Sequence, residues 1–200
     1  MPKLSRFAAG AAVALLPLSV SAAPESFVVD PLHSYPHFTV SHLGMSQLYG
    51  RFDKTSGKMS VDTAAKSGTV EIAIESASLN TGDNERAGRP RARDEHLRSP
   101  DFFNVQEFPR MIYKGKTAGW TGDNPAELTG ELTLLGVTKP VTLKVDHWKC
   151  GPDPRTQGKR YMCGTNASGS IKRSDFGMKF AIPGVGDEIR LLIQMEAYRE

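Results

Sequence analysis

The side chains best suited to chemistry lie in one charged segment, Asp83 to Phe103. Five arginines and five acidic residues are interleaved there. They are Arg86, Arg89, Arg91, Arg93 and Arg98, with Asp83, Glu85, Asp94, Glu95 and Asp101. Because a guanidinium binds phosphate through paired N–H donors, Arg86, Arg89 and Arg93 are candidates to hold a phosphate group. The interleaved acids keep an alternative open, in which the segment is a solvated face whose charges partly cancel.

A catalytic cluster is a second possibility, because Arg93, Asp94 and His96 stand close together in the sequence. A nucleophile needs a base and an orienting group within hydrogen-bond reach. No Gly-x-Ser-x-Gly elbow or comparable motif places a nucleophile in this chain. We therefore interpret the three residues as ion pairs and caps that hold a short helical segment, and we predict that the protein is not an enzyme.

Four histidines raise the question of a metal site: His33, His37, His42 and His96. His33 and His37 would be neighbours on a helix, but their segment alternates as a strand. Four residues of a strand span about 13 Å, which is too far for both side chains to bind one ion. We predict hydrogen-bonded structural histidines and no metal.

The two cysteines, Cys150 and Cys163, flank a turn-rich stretch of twelve residues. In an exported protein, such a pair predicts a structural disulfide. A redox pair is the alternative, but redox cysteines usually show the close Cys-x-x-Cys spacing that lowers a thiol pKa.

Export itself is predicted from residues 1–22. Lys3 and Arg6 precede an apolar run from Phe7 to Val20, which at 14 residues is too short to span a bilayer. Small residues up to Ala22 predict cleavage after that position. We expect a cleaved secretory signal at 1–22 and a single domain over 23–200, since no repeat or linker divides the remainder.

Composition narrows the class of protein further. A chain with 39% hydrophobic and 24% charged residues is not a disordered chain, a coiled coil or a multi-span membrane protein. Without Lys3 and Arg6, 23 basic residues face 22 acidic ones, and the formal charge falls from +3 to +1. That balance argues against bulk electrostatic binding of nucleic acid.

The elements that must position these side chains are strands, because apolar and polar residues alternate through most of the chain. An apolar residue at every second position is typical of antiparallel strands that have one face in the core and the other exposed to solvent. The apolar members are Phe38, Val40, Val70, Ile72, Ile74, Leu132, Leu134, Val141, Leu143, Ile189, Leu191 and Ile193. Some of them would contact a ligand in a lumen, or all of them would fill a solid core.

About eight strands are predicted, separated by glycine-containing turns. Residues 92–97 alone indicate a short helix, after which Phe102 and Phe103 must be buried. Many strands and one helix favour a closed barrel or a sandwich. Roughly eight strands make a barrel just wide enough to hold one elongated ligand.

Five sequence blocks then resemble the YceI-like family of exported proteins, in that family's order. They are residues 30–34 (DPLHS), 78–82 (SLNTG), 93–103 (RDEHLRSPDFF), 130–141 (GELTLLGVTKPV) and 171–178 (IKRSDFGM). Together they cover essentially all of the chain after residue 22. The one clear departure is the stretch Gly82 to Ala92, which is longer than the family pattern.

This resemblance implies an all-β fold, an extended antiparallel lipocalin-like β-barrel of about eight strands with one short helical segment. It implies non-catalytic binding, sequestration or transport of a polyisoprenoid lipid, such as a prenyl quinone or prenyl phosphate, in the periplasm. The alternatives are a stress-related scavenger of hydrophobic small molecules and an enzyme acting on a prenyl compound. We expect a monomer or homodimer with transient membrane contact and no cofactor beyond the bound lipid.

With such a ligand, the candidate residues named above would take the following roles. The alternating apolar set, together with Phe102 and Phe103, would contact the lipid chain. Arg86, Arg89 and Arg93 would contact its head group.

Overall fold

Alternating apolar residues form the strands of one antiparallel sheet in the computed structural model, which describes residues 23–200. The predicted signal at 1–22 lies outside the described residues. The strands are β1 Glu25–Val29, β2 Tyr35–His42, β3 Ser46–Phe52, β4 Thr55–Asp62, β5 Ser67–Glu75, β6 Leu79–Asn80, β7 Arg110–Ala118, β8 Glu127–Leu134, β9 Val137–Pro152, β10 Tyr161–Lys172 and β11 Val185–Arg199. Within residues 23–200, the one α-helix is α1, Arg93–Leu97.

The sheet closes into a barrel because β1 pairs with both β11 and β4. Towards the mouth end, β2 continues the line of β1 and also pairs with β11, and β3 pairs with β2 as β4 pairs with β1. Thus β1 and β2 together form one interrupted strand of the barrel wall, and β3 and β4 form another. The barrel therefore has eight strand positions, and the predicted antiparallel barrel with one short helical segment is confirmed.

The two ends of the barrel differ. We call one end the mouth end, and it carries the turns at 43–45 and 135–136, the loop at 173–184 and the helical segment at 76–109. The opposite end, which we call the closed end, carries the turns at 63–66, 119–126 and 153–160. Among residues 23–200, no helix has the length and apolar character needed to cross a membrane.

The tight β8–β9 hairpin shows how local sequence sets this register. Leu135 and Gly136 both adopt positive φ, 51° and 72°. Two successive residues of this kind match the twist of the flanking strands, which is why a two-residue connection suffices. The turn places Leu134 opposite Val137 and Leu128 opposite Leu143, so both strands present apolar side chains to the interior.

The interior is divided into two apolar clusters. The mouth-side cluster is the larger and includes Phe38, Phe52, Leu132, Val141 and Met195. A second cluster fills the closed end, and its buried members are Phe27, Met59, Val61, Trp148, Cys163 and Ala197. Only the mouth-side half of the lumen is therefore available to hold a ligand.

The predicted disulfide is confirmed at the closed end. Cys150 on β9 lies directly opposite Cys163 on β10, with their Cα atoms 4.0 Å apart. Cys163 is buried in the closed-end cluster. The bond therefore ties the hairpin at 153–160 to the packed half of the barrel.

Replacing both cysteines with alanine is expected to lower the free energy of unfolding by about 3 kcal/mol, because the cross-link restricts the unfolded chain. Urea unfolding of the oxidised protein and of the double variant measures the difference. Wild-type protein unfolded in a reductant is the control and should match the variant. Equal urea midpoints for the oxidised protein and the variant would contradict this role.

Candidate functional site

An apolar cavity of about 140 Å³ occupies the mouth-side half of the lumen. Twelve of the fourteen apolar residues predicted for a lumen line it: Phe38, Val40, Ile74, Phe102, Phe103, Leu132, Leu134, Val141, Leu143, Ile189, Leu191 and Ile193. Strands from opposite walls of the barrel bring ten of these residues together, and Phe102 and Phe103 come from the helical segment at 76–109. The ten on strands belong to the alternating set of the sequence.

The two remaining candidates, Val70 and Ile72, do not line the cavity. Both belong to β5, which runs from the closed end at Ser67 to the mouth end at Glu75. Ile72 is buried within the mouth-side cluster, and Val70 packs against both clusters. Ile74, two residues further towards the mouth end, does line the cavity, so Val70 and Ile72 lie on its closed-end side. Contact of these two residues with a ligand stays a prediction that requires deeper entry.

Sequence reasoning missed ten further residues of the wall. They are Pro36, His37, Phe52, Leu97, Met111, Tyr113, Ile171, Arg173, Met178 and Val185. Met111 and Tyr113 flank Ile112, so three consecutive nonpolar or aromatic residues hide the inward parity of β7. Met178 lies in a loop without periodicity. Gly115 lies two residues after Tyr113 and therefore on the same face of β7. Its position is the one local signal from which the inward face of β7 could have been identified.

In its present size, the cavity can hold only a small ligand. An engineered cavity of about 150 Å³ takes a molecule the size of benzene, whereas drug-sized ligands occupy about 300–1,000 Å³. A long apolar chain would enter only if lining side chains moved apart. Met111 and Met178 are suited to such movement, since methionine is unbranched and has three rotatable side-chain bonds.

Tyr113 forms part of the cavity floor and bridges two strands. Its hydroxyl donates to the carbonyl oxygens of Leu128 at 2.9 Å and Val141 at 3.1 Å. The ring lies against Gly115, where a Cβ atom would approach the ring to 2.9 Å. Burial raises the pKa of Tyr113 to about 12. At this part of the floor, Tyr113 therefore presents a neutral phenol whose hydroxyl already donates its hydrogen bonds within the barrel.

Tyr113 is expected to make stability fall in strong alkali. Because its folded pKa lies above the unfolded value of 10.0, its contribution is complete below pH 10 and is lost as the pH rises towards 12. The difference amounts to about 2–3 kcal/mol. Urea unfolding across this range should show the stability advantage of wild type over Tyr113→Phe shrinking by that amount. Parallel pH curves for the two proteins would contradict the assignment.

Arg173 lines the cavity at the mouth end, although its side chain is only 2% exposed. Its guanidinium donates four hydrogen bonds of 2.8–3.1 Å to backbone carbonyls of the following loop. The acceptors are the carbonyl oxygens of Met178, Phe180, Val185 and Gly186. Burial lowers the pKa of Arg173, and nearby Asp187 partly opposes that shift. The arginine thus holds the loop at 178–186 in place.

Three rings join that loop to the helical segment over the mouth. His96, Phe102 and Phe180 meet edge to face, with ring centroids 5.0–5.4 Å apart. Phe102 also lines the cavity, whereas Phe180 is partly exposed. The aromatic contacts therefore form one rim of the cavity mouth.

The three arginines predicted to bind a head group lie in ion pairs within the helical segment. Arg86 pairs with Glu95 at 2.8 Å, and Arg89 pairs with Asp83 at 2.6 Å. Arg93 also contacts Asp83, at 3.3 Å. Arg89 lowers the pKa of Asp83, and Arg86 lowers that of Glu95. None of these three arginines lines the cavity, so a head group would have to reach them outside its mouth.

Of the three residues considered above as a catalytic cluster, Arg93 and Asp94 share Thr81 as a partner, whereas His96 binds elsewhere. The buried carboxylate of Asp94 accepts hydrogen bonds from the backbone and the hydroxyl of Thr81. Arg93 donates to the same hydroxyl at 2.9 Å, and His96 pairs with Asp101 at 2.8 Å. These contacts fix the helical segment through ion pairs and hydrogen bonds, while Ala92 at the N-cap of the helix makes no side-chain capping bond.

In the described part of the chain, one group with metal-ligating atoms occurs elsewhere, at Asp30, His33 and Glu196, whose ligand atoms lie within 4.8 Å of one another. Arg155 already binds this group, through His33 Nε2 at 3.2 Å and Glu196 Oε2 at 3.1 Å. A cation would have to displace the guanidinium. We interpret the group as an ion-pair network that ties the hairpin at 153–160 to β11.

Comparison with known proteins agrees with this barrel. A model of the YceI-like domain matches residues 27–197. A UPF0312 protein of Pseudomonas aeruginosa is 37% identical over 169 residues, which cover 84% of this chain and 83% of that protein. Protein YceI of Escherichia coli is 36% identical over 169 residues, with the same coverage.

Solved structures share the fold. The Campylobacter jejuni YCEI protein is 28% identical, with a TM-score of 0.63 over 80% of this chain and 90% of that one. A polyisoprenoid binding domain from Saccharophagus degradans is 16% identical, with a TM-score of 0.59 over 88% of this chain and 99% of that one. At 16% identity, the second likeness shows the fold alone.

Proposed function

Because this chain belongs to the YceI-like family, we propose that it is a binding protein that holds a polyisoprenoid lipid in the mouth-side half of its barrel. The apolar cavity is the observation that carries the proposal. Removing apolar surface from water contributes about 25 cal/mol per Å² before the costs of ordering. A long isoprenoid chain offers such surface along its whole length.

A carrier role is favoured over catalysis by the chemistry of the wall. Three lining residues have titratable or strongly polar side chains: His37, Tyr113 and Arg173. Tyr113 and Arg173 already donate hydrogen bonds to backbone carbonyls. Burial lowers the pKa of His37, and the nearby charge of Arg51 adds to that shift, so both favour the neutral imidazole. These groups support retention of an apolar cargo without chemical change to it.

The proposed cargo class is supported by the apolar lining of the site and by a protein of the same fold. The Saccharophagus degradans domain is described as polyisoprenoid-binding. In the present chain, the lining of the cavity is almost uniformly apolar, which suits the tail of a prenyl quinone or a prenyl phosphate. The head group would then remain at the mouth end.

We place this activity in the periplasm. The disulfide between Cys150 and Cys163 fits an oxidising compartment, and the predicted signal at residues 1–22 would direct the chain there. A long apolar lipid needs a carrier to cross an aqueous space of this kind. The proposal is therefore sequestration or transport between membranes.

Native mass spectrometry of the purified protein, before and after organic extraction, tests the proposal. We expect an extractable mass of a prenyl lipid, and renewed uptake of an added prenyl quinone by the extracted protein. Failure to take up either a prenyl quinone or a prenyl phosphate would overturn it. Equal affinity for chemically unlike apolar molecules would instead favour a scavenger.

The head-group proposal has its own test in the arginines of the helical segment. Replacing Arg86 and Arg89 together with alanine is expected to weaken binding of a prenyl phosphate by about tenfold, since charge-assisted hydrogen bonds contribute about 1.5–3 kcal/mol. Binding of a prenyl quinone should be unchanged. Titrations with both lipids measure this, and Arg199→Ala at the exposed Glu25 ion pair is the control. Equal effects on both lipids would exclude head-group contact.

A further inference from the structure

Exposed apolar side chains are concentrated in two adjoining loops at the mouth end. Leu43 is 65% exposed, Met45 87%, Phe180 45% and Ile182 37%. We call these four residues the mouth patch. Apolar side chains that are exposed singly are ordinary, but a group of them on neighbouring loops marks an interaction site.

The two loops form one surface. The backbone N–H of Leu43 donates to the carbonyl of Gly184 at 2.6 Å, and a Leu43 methyl lies near Gly184. Beside this contact, His42 at the end of β2 lies opposite Val185 at the start of β11. The turn at 43–45 and the loop at 180–185 are therefore joined by backbone hydrogen bonding rather than only by proximity.

The surface is held in position before any partner binds. Arg173 donates to the carbonyls of Met178, Phe180 and Val185, on both sides of Ile182. Phe180 also packs against Phe102. Because these contacts order the loop, exposure of the mouth patch is a feature of the folded state, and docking costs little ordering entropy.

The mouth patch is continuous with the cavity. Phe180 contacts Phe102, which lines the cavity, and Val185 lines it directly after the loop. An apolar path therefore runs from the exposed loop tips to the interior of the barrel. A lipid that followed this path would cross little polar surface.

The charge of both loops suits an anionic partner. Residues 41–47 (SHLGMSQ) contain no acidic or basic side chain apart from His42. Residues 178–186 (MKFAIPGVG) contain one charged side chain, Lys179, which is exposed and adjoins Phe180. A lysine is attracted by the negative surface potential of an anionic bilayer, and exposed apolar side chains beside it can insert into the interface.

From these observations we propose that the mouth patch docks the barrel, mouth first, on the surface of an anionic phospholipid bilayer. The proposal rests on the proposed lipid cargo for its purpose, because docking would connect the cavity with the membrane that supplies or receives the lipid. Docking itself is a separate property and is measured without cargo.

Flotation of the purified protein with vesicles tests the proposal. One set contains equal parts phosphatidylethanolamine and phosphatidylglycerol, and a second set contains phosphatidylcholine alone. We expect wild-type protein to float with the anionic vesicles and less with the neutral ones. Leu43→Asp with Met45→Asp should lower the bound fraction at least about tenfold, because transfer of one such side chain already changes partitioning by about that factor.

Leu32→Asp is the matched control, since Leu32 is 73% exposed on the loop at 30–34, away from the mouth patch. It should float like wild type. Both variants should take up prenyl quinone from solution like wild type, which separates docking from cargo binding. Wild-type protein that floats with neither vesicle, or a mouth-patch variant that floats like wild type, would overturn the proposal. Dimerisation lost in that variant, without flotation of wild type, would assign the patch to a second copy.

Discussion

Leu191→Trp is expected to weaken prenyl quinone binding by about tenfold to a hundredfold, whereas Leu192→Trp should leave it unchanged. The two residues are neighbours on β11 and have the same side chain. Leu191 lines the cavity, and Leu192 lies on the outer face of the barrel beside Thr39 and Tyr49. The pair therefore separates a loss of cavity space from a general effect of introducing an indole.

The register of the sheet explains why Leu191 is sensitive. It lies opposite Phe38 on β2 and opposite Gly169 on β10. Gly169 has no side chain, and Leu143 of the cavity wall packs against it, since a Cβ atom there would lie 2.9 Å from a Leu143 methyl. An indole at position 191 would occupy space that totals only about 140 Å³. Ligand and indole would compete for it, at a cost of about 1–3 kcal/mol for overpacking.

Titration of extracted protein with a prenyl quinone, followed by tryptophan fluorescence or native mass spectrometry, measures both variants. Urea unfolding should first show that each variant is folded. If Leu192→Trp weakened binding as much as Leu191→Trp, the lipid would not occupy the lumen. Unchanged binding by both variants would place the ligand elsewhere.

Arg173→Met is expected to lower the free energy of unfolding by about 3–5 kcal/mol, the largest stability effect that we anticipate from one residue. Methionine has a similar length but no donors. The substitution would leave the carbonyls of Met178, Phe180, Val185 and Gly186 without their present partner. Buried carbonyls without a partner cost about 1–3 kcal/mol each, and movement of the loop towards water would recover part of that cost.

Urea unfolding measures the stability of Arg173→Met, with Lys172→Met as the control. Lys172 is the preceding residue and is exposed, so its replacement should change stability by less than about 0.5 kcal/mol. Hydrogen exchange should also speed up at residues 178–186 in Arg173→Met and not in Lys172→Met. A loss below about 1 kcal/mol, with unchanged exchange in that loop, would show that Arg173 does not hold the mouth.

Several features of this protein could be predicted because they are local. Alternation indicated the inward faces of β9 and β11, since successive side chains of a strand point to opposite sides. Gly136 indicated the β8–β9 turn, and the spacing of Cys150 and Cys163 indicated the disulfide, which is confirmed. Sequence motifs indicated the family, which is confirmed over residues 27–197.

Other features depended on contacts between distant parts of the chain. Arginine is normally an exposed residue, and nothing near Arg173 in sequence shows that four carbonyls converge on it. The mouth patch combines a turn at 43–45 with a loop some 140 residues later, and only the pairing of β2 with β11 joins them. The interruption of two wall strands, at 30–34 and 53–54, likewise became visible only in the closed barrel.

The cavity shows most clearly which features are local in sequence and which depend on contacts between distant parts of the chain. For the strands that alternate clearly, sequence by itself determined which side chains share the inward face, because that follows from the geometry of each strand alone. Only the tertiary structure decided that those around Phe27 and Trp148 fill the closed end, while those around Phe38 and Leu191 leave space. The physical reason is that a cavity is the difference between the volume that eight strands enclose and the volume of all the side chains inside. That difference depends on closure of the barrel and on partners from every strand.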